Sequence, residues 1–443
     1  MVKESFLAQF YGKSQNYTDI PNKWYKEYNV KKGLRNEDGT GVRIGLTRVA
    51  DVVGYEEADG GIKAIPGRLL YRGVDVLDLV KGKKESHFGY EETCFLLLFG
   101  YLPKKAELEK FCNVVRHCYT IPDDFVEMNL LRFPGKNLMN KLQDAVLTLY
   151  NYDDDPDNTD VYQTLVNLLA KLPSIACYAY QSKVHYYDRE SLFIHYANPE
   201  YSIAENFLSL LRKDQKFTSK EANLLDTILM LHADHGGGNN STFTNVVIAS
   251  TGTDIYSTVC GGIGSLKGPR HGGANIKVAE MMYAVLAETG GYDADDKKIR
   301  QSVEKLMAGE LYDRSGLVYG FGHAVYTVSD PRAEVLKACC MEVAKEQKHT
   351  RELDFYIRFE RIAKEVMEEI KGKALPTNVD FYSGFAYGML RIPRDLYTPL
   401  FVCSRVVGWV AHNIENKLYD GRIMRPATKY VGDNMDYVPM PER

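Results

Sequence analysis

Between residues 41 and 76 apolar side chains come in short runs punctuated by glycines, GVRIGLTRVADVVGY and then GGIKAIPGRLLYRGVDV, the only stretch with strand character. Beyond it the apolar spacing changes to threes and fours. Leu165, Leu168, Leu169 and Leu172 mark the buried face of a helix over 161–182, with Pro173 expected to kink or end its first half. Ser202-Ile-Ala-Glu205 and Thr218-Ser-Lys-Glu221 both fit the capping box, so helices are expected to start at each. The second runs through Leu224, Leu225, Ile228 and Leu231 toward His235. Further helices are predicted over 274–288, 295–308, 332–347, 351–370 and 395–419. Thr93 to Leu102 (TCFLLLFGYL) is about half the length of a membrane span and reads as a buried helix. Asp153-Asp-Asp-Pro-Asp157 reads as an exposed loop. The pattern is that of a mainly helical protein with a minor β element near its N-terminus.

A chain of 443 residues fits two domains, or one large core with an inserted lobe. Its net charge of −4 argues against a general nucleic-acid binder, whose surface is strongly basic, yet leaves room for anionic small substrates held by a few arginines. The opening residues have no apolar segment and no small-residue cleavage site, so a secretory signal is not expected. The eight cysteines form no CxxC pair and no framework, which suits a reducing cytoplasm. Adjacent Cys339 and Cys340 read as helix packing.

Three histidines sit among glycines: His235 in HADHGGGNNSTFT, His271 in GPRHGGAN and His323 in GFGHAVYTVSDPRA. Glycine is costly inside helices, so these contexts point to helix ends and close backbone approach to a ligand. Free N–H groups at helix N-termini there would favour anions and a neutral imidazole. One such histidine alone reads as a turn residue; three together read as a site. His232 and His235 are spaced to share a cation, but the same spacing is ordinary packing on a helix and no further ligand has a recognised spacing, so no metal is expected. Asp380, in NVDFYSGFAYGML, is either a helix N-cap or a partly desolvated carboxylate whose raised pKa suits a general base. Arg405 lies among Phe401, Val402, Val406 and Trp409 and needs a partner, either an internal salt bridge or a substrate carboxylate gripped bidentately. Arg425 stands beside a proline near the end.

Taken in order, HADH…N-S-T, GP-x-HGGAN, GFGHAVY…DPRA, NVDFYSG and the terminal R-x-x-GW…RP resemble the citrate synthase family, and weaker likeness in GRLLYRGVDV, GYEETCFLLLFGYLP, KLPSIA and AENFLSLL extends over nearly the whole chain. The resemblance implies an all-α fold, with a multi-helix large domain made of residues 1–270 and 385–443 and a smaller inserted helical domain at 271–384 whose closure assembles the site and excludes water. It implies condensation of acetyl-CoA with oxaloacetate and water, giving citrate and CoA through an enol or enolate and citryl-CoA. Asp380 would take the methyl proton. His271 would donate a hydrogen bond to the thioester oxygen, which a weakly acidic α-carbon requires. His323 would polarise the ketone and protonate the alkoxide. His235, Arg332, Arg405 and Arg425 would hold oxaloacetate, with Arg425 contributed across a homodimer. Leu317, Val318, Gly320 and Gly322 would form the loop that recognises the CoA adenine. Acetyl-CoA is a substrate and no cofactor is expected; nor is nucleic acid or a membrane among the partners, and the location implied is the cytoplasm.

The chain departs from the family pattern at Gly236, where many relatives have glutamate; at Arg270, commonly apolar; at Tyr319, usually proline; and at Thr327, where a basic residue often meets the CoA phosphates. Lys373, Lys31, Lys32, Arg35 and Arg43 are candidates to compensate. Two other readings stay open: 2-methylcitrate synthase, using propionyl-CoA, since one methyl changes binding by only about 1–3 kcal/mol, and a non-catalytic CoA-binding relative.

Overall fold

A computed structural model describes residues 18–58, 61–83, 88–157, 161–269, 271–373, 375–419 and 421–442. The strand pattern near the N-terminus forms one three-stranded antiparallel sheet, β1 (Ala50–Ala58), β2 (Gly61–Tyr71) and β3 (Val74–Asp75), with an irregularity between Val53 and Tyr55. Almost everything after it is helical. Both capping boxes form: Ser202 Oγ accepts from Glu205 N at 3.2 Å, and Thr218 Oγ1 accepts from Glu221 N at 3.2 Å. The predicted later helices are Ala274–Thr289, Asp296–Met307, Pro331–Gln347, Thr350–Lys371 and Tyr397–Leu418.

Pro173 does not end its helix, which runs unbroken from Val161 to Lys183. The pyrrolidine ring forfeits one ladder bond, but Leu172, Pro173, Ser174 and Ile175 are all buried, and packing on both sides outweighs the local cost. The run predicted from Thr93 belongs to the buried helix Gly89–Phe99, closed by Gly100 in the left-handed conformation.

By contacts, the described residues of Met1–Gly45 and Met424–Arg443 form one compact unit, and Leu46–Ile423 another. The smaller unit holds the short helix Asn22–Glu27 and the turn Lys32–Leu34, with Lys429 over the Tyr28 ring. In the larger unit, Tyr397–Leu418 is buried along almost its full length by the helices Gly89–Phe99, Val161–Lys183, Ser219–His232, Asn240–Ala249 and Ile255–Lys267, with Arg405, His412 and Asn413 among its buried residues.

The sheet has a positioning task. The buried Tyr71 hydroxyl meets the Met230 carbonyl at 3.0 Å and receives the Asp234 N–H at 3.3 Å, pinning the end of the helix that leads into His235. Gly67 N donates to the Ser329 carbonyl at 3.1 Å, and the Tyr326 hydroxyl reaches the Arg68 carbonyl at 3.3 Å, so the same strand holds the loop that follows His323.

Candidate active site

His235 and Arg405 define a buried polar corner. Arg405, 1% exposed, donates from Nε to the His232 carbonyl at 2.6 Å, while its Nη1 is buried without a hydrogen-bond partner among the described residues. Burial pulls its pKa down to about 10, against the attraction of Asp234. His235 Nε2 and His232 Nε2 are likewise buried and unpartnered, and burial, followed by the Arg332 charge, holds both imidazoles neutral. Buried donors and acceptors are normally satisfied, so a cluster left open marks a place for a polar ligand. No group of His, Cys, Asp and Glu able to hold a metal ion occurs among the described residues.

His323 packs against this corner, its ring 5.0 Å from that of His235 and stacked on Tyr326 at 4.5 Å. Its Nδ1 accepts two backbone N–H groups, from Val325 and Tyr326, both at 3.0 Å. That geometry requires a lone pair on Nδ1, so the neutral ring carries its proton on Nε2. Four residues beyond Tyr326, at the N-cap Asp330, the chain turns into Pro331–Gln347, with Pro331 at the first helical position. Asp330 grips Arg332 with both oxygens, at 3.0 Å from Nε and 2.8 Å from Nη2, and also accepts the Val379 N–H at 3.3 Å.

Asp380 sits in the first turn of Val379–Met389. The N-cap is Asn378, whose side chain accepts the Asp380 N–H at 3.1 Å, so the capping alternative for Asp380 falls away. Its carboxylate accepts no hydrogen bond from the described residues. Burial pushes its pKa up to about 6, with Arg332 pulling down and Asp330 pushing up. His271 lies at the other helix start, before Ala274–Thr289, with Nε2 at 3.1 Å from Ser241 Oγ. Burial, then the Arg405 charge, lowers its pKa to about 4, so the ring is neutral at physiological pH. Trp409 Nε1 donates to Ser241 Oγ at 3.1 Å, leaving the single hydroxyl proton for His271 Nε2 or for Asn239 Oδ1 at 2.9 Å. Replacing Ser241 with alanine removes the one hydrogen-bond partner that His271 Nε2 has among the described residues and strands the buried indole N–H. A loss of about tenfold in kcat is expected, from a hydrogen bond of roughly 1 kcal/mol or more, together with a lower Tm; kinetics and thermal denaturation check both.

The segment 317–322 is stitched to the residues preceding Asp380. Gly322 N donates to the Pro376 carbonyl at 2.8 Å, Asn378 N to the Gly320 carbonyl at 2.9 Å, and Asn378 Nδ2 to the Gly322 carbonyl at 3.0 Å. Gly320 has φ +86°, and a Cβ there would fall 2.9 Å from Phe381, so only glycine lets this loop lie on the helix. Leu317 is exposed and Val318 buried. Tyr319 donates its hydroxyl to Asp313 at 2.6 Å. Lys373 and Thr327 are exposed. Arg270 lies outside the described residues. Arg425, exposed, belongs to the smaller unit, as do Lys31, Lys32, Arg35 and Arg43; Lys32 bonds Asn22 and Arg35 the Gly39 carbonyl.

Inspection of the motifs alone missed Ser241, Tyr326, Asp330 and Asp234, although each stands inside a quoted block. Asp-Pro at a predicted helix start was a readable capping signal for Asp330. Nothing in the spacing linked Ser241 to His271, thirty residues on.

The protein-family model described as "Citrate synthase, C-terminal domain" matches residues 39–427. A citrate synthase of Synechocystis sp. is 34% identical over 437 residues, 97% of this chain and 96% of its own. A 2-methylcitrate synthase of Shewanella oneidensis is 33% identical over 365 residues, 82% and 88% of the two chains. Among solved structures, the ternary complex of the Thermoplasma acidophilum citrate synthase with carboxymethyl coenzyme A and oxaloacetate superposes with a TM-score of 0.75 at 26% identity, covering 93% of this chain and 99% of that one. Likeness of this extent in both sequence and fold, around a site built from the same motif blocks, leads to one conclusion: the chain belongs to the citrate synthase family.

Proposed function

We propose that this enzyme condenses acetyl-CoA with oxaloacetate at the site formed by His235, His271, His323, Arg332, Asp380 and Arg405. The observation that carries the reading is the buried corner in which Arg405 Nη1 and His235 Nε2 have no partner among the described residues while burial raises the Asp380 carboxyl to about 6. A small dicarboxylate satisfies the first two, and a carboxylate poised near neutrality is a usable base.

In this scheme His323 Nε2–H points its donor at the ketone and stabilises the developing alkoxide. With the Ser241 hydroxyl proton turned to His271 Nε2 instead of Asn239 Oδ1, Nδ1–H is left to donate to the thioester oxygen as Asp380 removes the methyl proton. The enolate carbon attacks the polarised ketone, and water then hydrolyses citryl-CoA to citrate and CoA. Arg405 and Arg332 supply charge for the two oxaloacetate carboxylates. Arg332 arrives already paired to Asp330, so it offers a positioned rather than a free cation. CoA is assigned to the loop of Leu317, Val318, Gly320 and Gly322 with Lys373, and Arg425 to the oxaloacetate of a second subunit in a homodimer. The division into a large domain and a lobe at 271–384 that closes over substrate, action in the cytoplasm and the absence of a cofactor belong to the same reading. No helix among the described residues is long and apolar enough to cross a membrane.

Release of thiol from acetyl-CoA and, separately, propionyl-CoA in the presence of oxaloacetate tests the proposal. The expected result is faster turnover of acetyl-CoA. Faster turnover of propionyl-CoA would make the product 2-methylcitrate, and no turnover of either would refute the condensation.

A further inference from the structure

Asp234 and Arg405 carry opposite charges, lie in the same buried corner, and do not pair. Asp234 Oδ1 and Arg405 Nη1 are both buried without a partner, and no ion pair joins the two residues. Their closeness is set by the helix Tyr397–Leu418. Three residues after Arg405, Gly408 packs on the carboxylate so tightly that a Cβ would lie 2.4 Å from Asp234 Oδ1 and from the Ala233 carbonyl. Each charge also favours the ionised form of the other.

The other oxygen explains the separation. Asp234 Oδ2 accepts the Gly236 N–H at 2.8 Å and meets His412 Nε2 at 3.2 Å. Thr47 Oγ1 accepts the Val49 N–H at 3.0 Å and contacts His412 Nδ1 at 3.3 Å. The threonine proton is thus available to Nδ1, which places the histidine proton on Nε2, facing Asp234. His412 is buried, and nothing in the proposed chemistry uses it.

We infer that His412, braced by Thr47, is a positioning residue that turns the Asp234 carboxylate away from Arg405, so that the guanidinium stays open for a substrate carboxylate instead of being consumed by an internal salt bridge. Asp234 also immediately precedes His235, so the same bond fixes the turn that presents His235. The inference rests on the oxaloacetate reading of Arg405, and it adds a competitor for that arginine.

The test is a set of variants with oxaloacetate and acetyl-CoA. His412→Leu frees Asp234 to close on Arg405. The expected result is a rise of tenfold or more in KM for oxaloacetate, with less than twofold change in KM for acetyl-CoA at saturating oxaloacetate and no fall in Tm, because an internal pair replaces two open groups. Adding Asp234→Asn to His412→Leu removes the competing charge and should recover part of the oxaloacetate affinity. Thr47→Val, a milder change at an exposed position, should raise the oxaloacetate KM by about threefold. Unchanged oxaloacetate KM in His412→Leu, or a parallel loss of Tm and both affinities with no recovery in the double variant, would overturn the inference. If His412→Leu does not fold, an unchanged KM in Thr47→Val does so. Wild-type protein that fails to turn over oxaloacetate would instead sink the functional reading, so the two failures are separable.

Discussion

Asp380→Asn should lower kcat by about a thousandfold or more while leaving the protein at least as stable as wild type. The size follows from the role: a positioned base contributes roughly 10²–10⁴-fold, and its amide isostere retains shape without basicity. Stability follows from the sign of the shift. Burial raises the carboxyl of Asp380 to about 6 in the folded state, above the unfolded carboxylate range. A carboxyl raised on folding costs stability once it ionises, fully above the folded value and not at all below the unfolded one. At pH 7–8 the asparagine variant is therefore relieved of a penalty, and its advantage in Tm should fade as pH falls toward about 4. Wild-type kcat/KM should in turn fall about tenfold per unit of pH below 6. His271 does not set that limb, since its own pKa is lowered to about 4. An asparagine variant with near-normal turnover, or one that melts well below wild type, would remove Asp380 from the role of base.

How much of this was readable in the sequence divides by physical range. Capping boxes at Ser202 and Thr218 and the helix over 350–371 are local decisions, made within a few residues by hydrogen bonding and periodicity, and they were legible. Pro173 misled because burial of a whole helix face overrides one proline, a tertiary fact. Glycine-flanked histidines pointed to the site, yet the partners of their rings carried no signal in the motifs: Ser241, thirty residues before His271, and for His323 the backbone N–H groups of Val325 and Tyr326, which only the folded turn aims at Nδ1. The choice at Asp380 between N-cap and base turned on Asn378, two positions upstream, taking the cap. For Arg405 the sequence said only that a buried cation needs a partner. The fold adds that no carboxylate among the described residues pairs with it, although Asp234 stands close by.

Arg405→Met should abolish tight oxaloacetate binding without a matching loss of stability. Methionine is close to the arginine stem in volume and suits the apolar surroundings of Phe401, Val402 and Val406. Removing one partner of a buried charge–charge contact with ligand costs about 2–5 kcal/mol, which corresponds to a rise of roughly thirtyfold to several thousandfold in the oxaloacetate dissociation constant. In most proteins the loss of a buried arginine from an ion pair also destabilises by about 3–5 kcal/mol, because an uncompensated charge is left behind. Here the arginine is itself the uncompensated group. Its pKa falls to about 10 even with the attraction of Asp234 included, so the charged form is disfavoured by folding at every pH below that value. Substitution removes this cost, and Tm in the absence of ligand should hold or rise. The contrast with wild type should then reverse on adding oxaloacetate, which stabilises only the protein that binds it. Calorimetric binding and thermal denaturation, with and without oxaloacetate, measure both effects. A variant that binds normally, or that loses several kcal/mol when empty, would mean that Arg405 is a structural cation and that the open corner belongs to something other than a carboxylate. The expected pattern, like that of Asp380, is of a site whose charged groups are costly to the empty protein and are compensated when substrate arrives.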